Sequence, residues 1–204
     1  MNPQETHTLR NLQSENNRIK EENHDLREAL GRLRRAIRSL NSLHHRTEQI
    51  GPQTDVITLV RSLLAATLEA VDSEDGSLQL LDEETAELVF VEVQGASRET
   101  LISHRMPVTQ GISGWTIANH RAELVPDVSK DQRFSPLVDR VTGFRTSSLI
   151  CVPLIEGHRV MGAIEVVNTR SGRAFSQEDL DILVLVGRFV TMALLRAEGS
   201  QGQR

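Results

Sequence analysis

From Leu9 to Thr47 the chain repeats apolar positions at alternating intervals of three and four. With Leu9 at position a, the a positions are Leu9, Asn16, Asn23, Leu30, Ile37 and His44. The d positions are Leu12, Ile19, Leu26, Leu33, Leu40 and Thr47. The register never slips, which predicts a coiled coil over residues 1–50 rather than an ordinary surface helix. Asn at two a sites can hydrogen-bond to its counterpart across the seam, which costs stability but fixes register and favours two parallel strands. Glu15 at g faces Lys20 at e′ of the next heptad, and Glu22 faces Arg27 in the same way. Both pairs have opposite sign, so the prediction is a parallel homodimer.

Gly51-Pro52 interrupts the repeat. The pattern beyond it changes to an apolar helical stretch with Val56, Leu59, Val60, Leu63, Leu64, Leu68 and Val71. Ser77–Leu81 and Glu87–Val93 read as a hairpin, followed by a third strand near Ile102–Val108. Gly111–Asn119 reads as a short helix and Ala122–Val125 as a short strand, and Lys130–Val141 is polar and irregular. Ser147–Ile155 and Val160–Val167 form a second apolar hairpin around Glu156-Gly157-His158. A last helix starts behind Ser176, with Asp179 near the capping-box position, and runs to about Leu195. Its apolar residues cover more than one face. Two readings stand: deep burial in one chain, or a second contact with the same helix of a partner. The element order is that of an α+β fold, an antiparallel sheet with the terminal helices on one face and irregular connections on the other. The expected division is a coiled coil over 1–50, a globular domain over 51–196 and a disordered tail over 197–204.

Composition narrows the function. Residues 1–50 carry a net charge of +2 and the remainder −7. An acidic globular domain argues against generic nucleic-acid binding. Arg32, Arg34, Arg35 and Arg38 lie inside the zipper and follow Glu21, Glu22, Asp25 and Glu28, so they read as a solvated face, or as a surface for end-to-end pairing with acidic groups, rather than as a fork that grips DNA. Cys151 is the only cysteine, which excludes an intramolecular disulfide and suits a reducing cytoplasm. No apolar run is long enough for a membrane span, and the N-terminus has no secretory h-region, so a cytoplasmic protein with no membrane partner is expected.

Several fragments, weak singly, are specific in their order. They are Gly111-Ile112-Ser113-Gly114-Trp115, Val125-Pro126-Asp127-Val128 and Asp131-Gln132-Arg133-Phe134, then Gly143–Leu149 and Val152-Pro153-Leu154. Gly162–Asn168 and Phe175–Asp179 complete the set. Over about residues 54–195 the chain resembles a GAF domain. The resemblance implies a PAS-like design, with a central antiparallel sheet, helices behind it and a small-ligand cavity in front. It also implies dimerisation through terminal helices, and signalling by way of neighbouring coiled helices. Known members bind cyclic nucleotides, bilins, haem, 2-oxoglutarate or other small molecules, and some bind nothing.

Particular ligands leave particular marks. The cyclic-nucleotide motif of the family is matched at Asn168, Phe175 and Asp179, but Thr169 stands in place of its Lys and Leu180 in place of its Glu. The Lys–Asp ion pair of that motif cannot form, although Arg170 is close enough in sequence to reach Asp179. Phe175 and Asp179 also suit helix entry and capping. Bilin attachment needs an accessible Cys, whereas Cys151 lies within an apolar strand, where free Cys packs as a small hydrophobe. One Cys cannot run the disulfide cycle of the family's methionine-sulfoxide reductases. His104, His120 and His158 fall at polar strand ends or turns, which argues against haem ligation, and no metal cluster is visible.

The candidate pocket residues are Asp131, Arg133, Phe134, Phe144, Arg145, Thr146 and Ser147. Two aromatics, two guanidiniums and two hydroxyls would suit a small anionic ligand, a carboxylate or phosphate. Equally, the two Phe can fill the space themselves and the arginines can pair with Asp127, Asp131 or Asp139. Trp115 reads as core. The sequence therefore predicts a dimeric regulatory protein that senses a small molecule and passes the signal to a separate effector protein. The alternative is a scaffold whose globular domain only dimerises. No nucleophile–base pair or catalytic carboxylate pair supports an enzyme.

Overall fold

The computed structural model describes residues 12–20, 23, 31 and 56–201. Residues 12–20 are helical and solvent-facing, with Leu12 and Ile19, seven residues apart, 58% and 48% exposed. Asn23 donates from Nδ2 to the Ile19 carbonyl at 3.1 Å. The other predicted seam positions, Leu9, Leu26, Leu30, Leu33, Ile37, Leu40, His44 and Thr47, lie outside the described residues, as does the Gly51-Pro52 junction.

Helix α1 spans Val56–Ala70 and strand β1 Asp75–Asp82, followed by β2 over Glu87–Gln94. One helical turn, α2 (Arg98–Leu101), precedes the short β3 (Arg105–Pro107). Helix α3 (Gly111–Asn119) leads to β4 (Glu123–Val125), and a 3-10 turn at Val128–Lys130 to α4 (Leu137–Thr142). The chain ends with β5 (Leu149–Glu156), β6 (Arg159–Val167) and α5 (Gln177–Gln201). The six strands form one sheet in the order β3-β2-β1-β6-β5-β4, antiparallel at every junction.

Strand alternation divides the interior into two layers. Behind the sheet, Leu78, Ile150, Val152, Leu154, Ile164 and Val166 pack against Leu59, Val60, Leu63 and Leu64 of α1 and Leu183, Val186 and Val190 of α5. In front, Leu88, Phe90, Val93, Cys151 and Ala163 meet Leu101, Ile112, Ile117 and Val128 from the α2–α4 segment. Gly187 lets α5 lie close on β5, since a Cβ there would sit 2.9 Å from Val152 Cγ1.

Two elements differ from their sequence pattern. The strand expected over 102–108 is confined to Arg105–Pro107 because Arg98–Leu101 coils to bury Leu101, and the chain then turns at Ser103 with φ +66°. Helix α5 continues past Leu195 to Gln201, so residues 197–201 of the expected tail are helical and 202–204 lie outside the described residues. A two-pronged ion pair from Arg159 of β6 to Glu198, at 2.6 and 3.1 Å, fastens that extension.

Candidate ligand cavity

The front layer leaves a cavity of about 290 Å³ between the sheet and α2–α4. That volume lies near the lower end of small-molecule sites, about 300–1,000 Å³. Its walls are largely apolar, with Phe90, Val93, Leu101, Met106, Ile112, Phe134, Phe144 and Leu149. Its floor is polar. Ser77 and Glu165 are cross-strand partners on β1 and β6, and Gln79 follows two residues after Ser77 on the same face. Gln79 is 1% exposed; its Nε2 donates to Ser77 Oγ at 3.2 Å, and its Oε1 has no partner among the described residues.

Above the floor, Ser113 of α3 donates from Oγ to Glu165 Oε2 at 2.8 Å, and the Cys151 thiol points at the same Oγ at 3.8 Å. Gly114 lets α3 settle this deeply, since a Cβ would stand 2.4 Å from the Val108 carbonyl oxygen. Glu165 keeps a surface toward the cavity but lies deep in the protein. Burial raises its pKa from 4.5 to about 7, against the lowering effect of Ser113, and Asp139 adds a smaller upward push. Burial also raises the pKa of Cys151, a free and fully buried thiol, well above its usual range. The N-terminal turn of α3, residues 110–113, lines another wall.

Three of the seven residues singled out from the sequence, Phe134, Phe144 and Thr146, line this cavity; Asp131, Arg133, Arg145 and Ser147 do not. The Arg133 guanidinium lies outside it, joined to Asp131 at 2.6 Å and to Glu123 at 2.9 Å and stacked 4.4 Å over the Trp115 ring. Trp115, expected in the core, is half-buried on α3 between Arg133 and Arg121, because the two cations cover its ring from the solvent side. Arg145 is exposed. His104, expected at an exposed strand end, is half-buried at the cavity edge with its ring 6.0 Å from Phe90.

The motif residues have structural tasks. Asn168, at φ +51°, accepts at Oδ1 from Ser147 N (2.7 Å), Ser147 Oγ (2.8 Å) and Ser148 N (3.2 Å). It donates from Nδ2 to the Arg145 carbonyl at 2.8 Å, so one side chain clasps the α4–β5 loop to the end of β6. Asp179 receives the Ser176 N–H at 2.9 Å and is paired with Arg173 through both carboxylate oxygens. Arg170, the expected partner of Asp179, is turned instead to Glu74 at 3.1 Å. Phe175 is buried at the entry to α5.

Sequence reasoning missed Gln79, Ser113 and Glu165. Within the described residues no group of three His, Cys, Asp or Glu is placed to hold a metal ion, and no helix is long and apolar enough to cross a membrane.

The family model described as GAF domain matches residues 53–195. The "Cone cGMP-specific 3',5'-cyclic phosphodiesterase subunit alpha'" of Mus musculus is 35% identical over 88 residues, which is 43% of this chain and 10% of that protein. The chain thus spans about a tenth of that relative's length. Among solved structures, the GAF domain of a phosphoenolpyruvate-protein phosphotransferase from Coxiella burnetii superposes with a TM-score of 0.71 at 13% identity, covering 83% of this chain and 97% of that one. The free methionine-R-sulfoxide reductase of Neisseria meningitidis, solved in complex with its substrate, gives 0.62 at 21% identity, covering 83% and 93%. At these identities the structures show a shared fold.

Proposed function

The chain belongs to the GAF domain family of regulatory and sensory domains, and on that premise we propose that it is a small-molecule-responsive regulatory protein that acts on a separate protein partner. The observation that carries this reading is the front cavity, where an apolar shell encloses a floor of buried polar side chains. A space that needed only to be packed would have no use for Gln79 and Glu165, since burying polar groups without full hydrogen bonding costs stability.

The sheet supplies a route to the back of the molecule. Along β6, Glu165 faces the cavity while Ile164 and Val166 face the core under α1 and α5. Ligand at the floor therefore bears on the strand against which the terminal helices pack. Those helices are our proposed output. On α5, Ile182, Leu185, Phe189 and Met192 recur at intervals of three, four and three, with Leu185 and Met192 43% and 42% exposed. That spacing is the one a coiled-coil seam uses, although Ile182 and Phe189 also pack against the core behind the sheet. It supports dimerisation through α5, in line with the predicted N-terminal zipper. The buried, high-pKa thiol of Cys151 gives no support to a catalytic nucleophile. Cyclic nucleotides, suggested by the name of the phosphodiesterase relative, find Thr169 in place of the motif Lys, and Asn168 and Asp179 already employed.

The test is thermal unfolding of the full chain against a metabolite panel that includes cyclic GMP. Ligand at 100 times its Kd adds about 2.7 kcal/mol, a rise of several degrees for a chain of this size. A rise that disappears when Val138→Trp fills the cavity from α4 supports sensing. A panel without effect, with partner binding kept, favours the scaffold alternative.

A further inference from the structure

The polar inventory of the cavity is unbalanced. Arg105 is the one Arg or Lys among its described lining residues, and its guanidinium is engaged by Asp82, Thr85 and Glu87. Of the lining acids, Asp139 spends both oxygens on Thr146, and Asp75 accepts from Ala96 N. Glu165 accepts only from Ser113, through Oε2, so among the described residues Oε1 has no donor. Gln79 Oε1 is likewise without one. With Glu165 ionised, as it is at pH 8, the floor holds two acceptor oxygens that no donor among the described residues reaches. The N-terminal turn of α3 opposes this with about half a positive charge. A carboxylate carries a full charge and its hydrogen bonds are the stronger kind.

Resting on the reading of this cavity as a ligand site, we propose that it selects a compact ligand with an apolar body and an N–H-rich head, a primary amine or an amidine, received by Glu165 and Gln79. The head supplies the donors the floor lacks, and the body lies among Phe90, Phe134, Phe144 and Leu149. This differs from the anionic ligand that the two loop arginines suggest, because Arg133 and Arg145 do not line the cavity.

The probes are phenethylamine, benzamidine and 3-phenylpropionate, which share an aromatic body and differ in the charge of the head. Thermal unfolding of the full chain at pH 8 is followed as each is titrated. The expected result is a rise in Tm with the amine or the amidine and none with 3-phenylpropionate, with apparent affinity for the cation falling at least about tenfold in Glu165→Gln. An equal rise with 3-phenylpropionate overturns the inference. So does a cation effect that survives in Glu165→Gln, or the absence of any effect from both cations. The matched probes on the unaltered chain decide the matter even if the variant does not fold. If both cations are silent while another metabolite acts through the cavity, the sensor reading stands and the amine reading falls.

Discussion

At the scale of single residues, Glu165 has the largest consequence. Cys151 on β5, Asp75 on β1, Asp139 on α4, His104 before β3 and Arg105 on β3 are the titratable groups around its cavity and floor. Its carboxyl is raised from 4.5 to about 7, chiefly by burial. The folded chain therefore holds a proton that the unfolded chain releases. The stability this gives is complete below pH 4.5 and is lost as pH rises through about 7. Glu165→Gln should remove that dependence. Measured by thermal unfolding, the variant should gain on the parent between pH 5 and pH 8 by up to about 3 kcal/mol; a constant difference between the two would refute the assignment. This residue was invisible in the sequence for a physical reason. Ser77-Leu78-Gln79-Leu80 and Ile164-Glu165-Val166 alternate polar with apolar, as in a strand with one face in water. Only the α2–α4 layer, folding over the polar face, turns it into an interior. The loop aromatics Phe134 and Phe144 were legible as cavity residues because bulky apolar side chains seek enclosure from any loop. The arginines were not, since neither spacing nor charge says on which side of a loop a long side chain lies.

Secondary-structure elements were legible where their signals are local. Ser176 and Asp179 cap α5 as their spacing predicts, with the Asp179 carboxylate also held by Arg173. The Gly157-His158 turn joins β5 and β6 at the expected place. Strand β3 was overextended because Arg98–Leu101 has no helical period long enough to register, and the pull that coils it is the burial of Leu101. The Asn168 clasp was read as part of a ligand motif because its partners, Arg145, Ser147 and Ser148, lie some twenty residues earlier. Its replacement by Ala removes four hydrogen bonds and puts a poorer residue at φ +51°. The expected loss is about 2–4 kcal/mol in denaturant unfolding. Asn168→Asp, which keeps the accepting oxygen but not the donor, should lose less. Equal losses would mean that the Arg145 end of the clasp holds the loop.

At the scale of the whole molecule, the two-layered core follows from the chain's patterning, whereas assembly has to be measured. The exposed Leu185 and Met192 on α5 and the exposed Leu12 and Ile19 lead us to expect a dimer in sedimentation of the full chain at tens of micromolar. Leu185→Glu with Met192→Glu should weaken it at least tenfold, because like charges would meet across the seam. A monomeric parent would refute both contacts. A different use follows from the thiol beneath Ser113. Cys151 is the sole cysteine, fully buried, in a strand shared by the cavity floor and the terminal-helix core. Alkylating reagent can reach it only when the sheet and its front layer part, so each modified molecule records one such parting. The rate of mass gain under native conditions is thus a stopwatch for the breathing of the domain, and any occupant of the cavity should slow it.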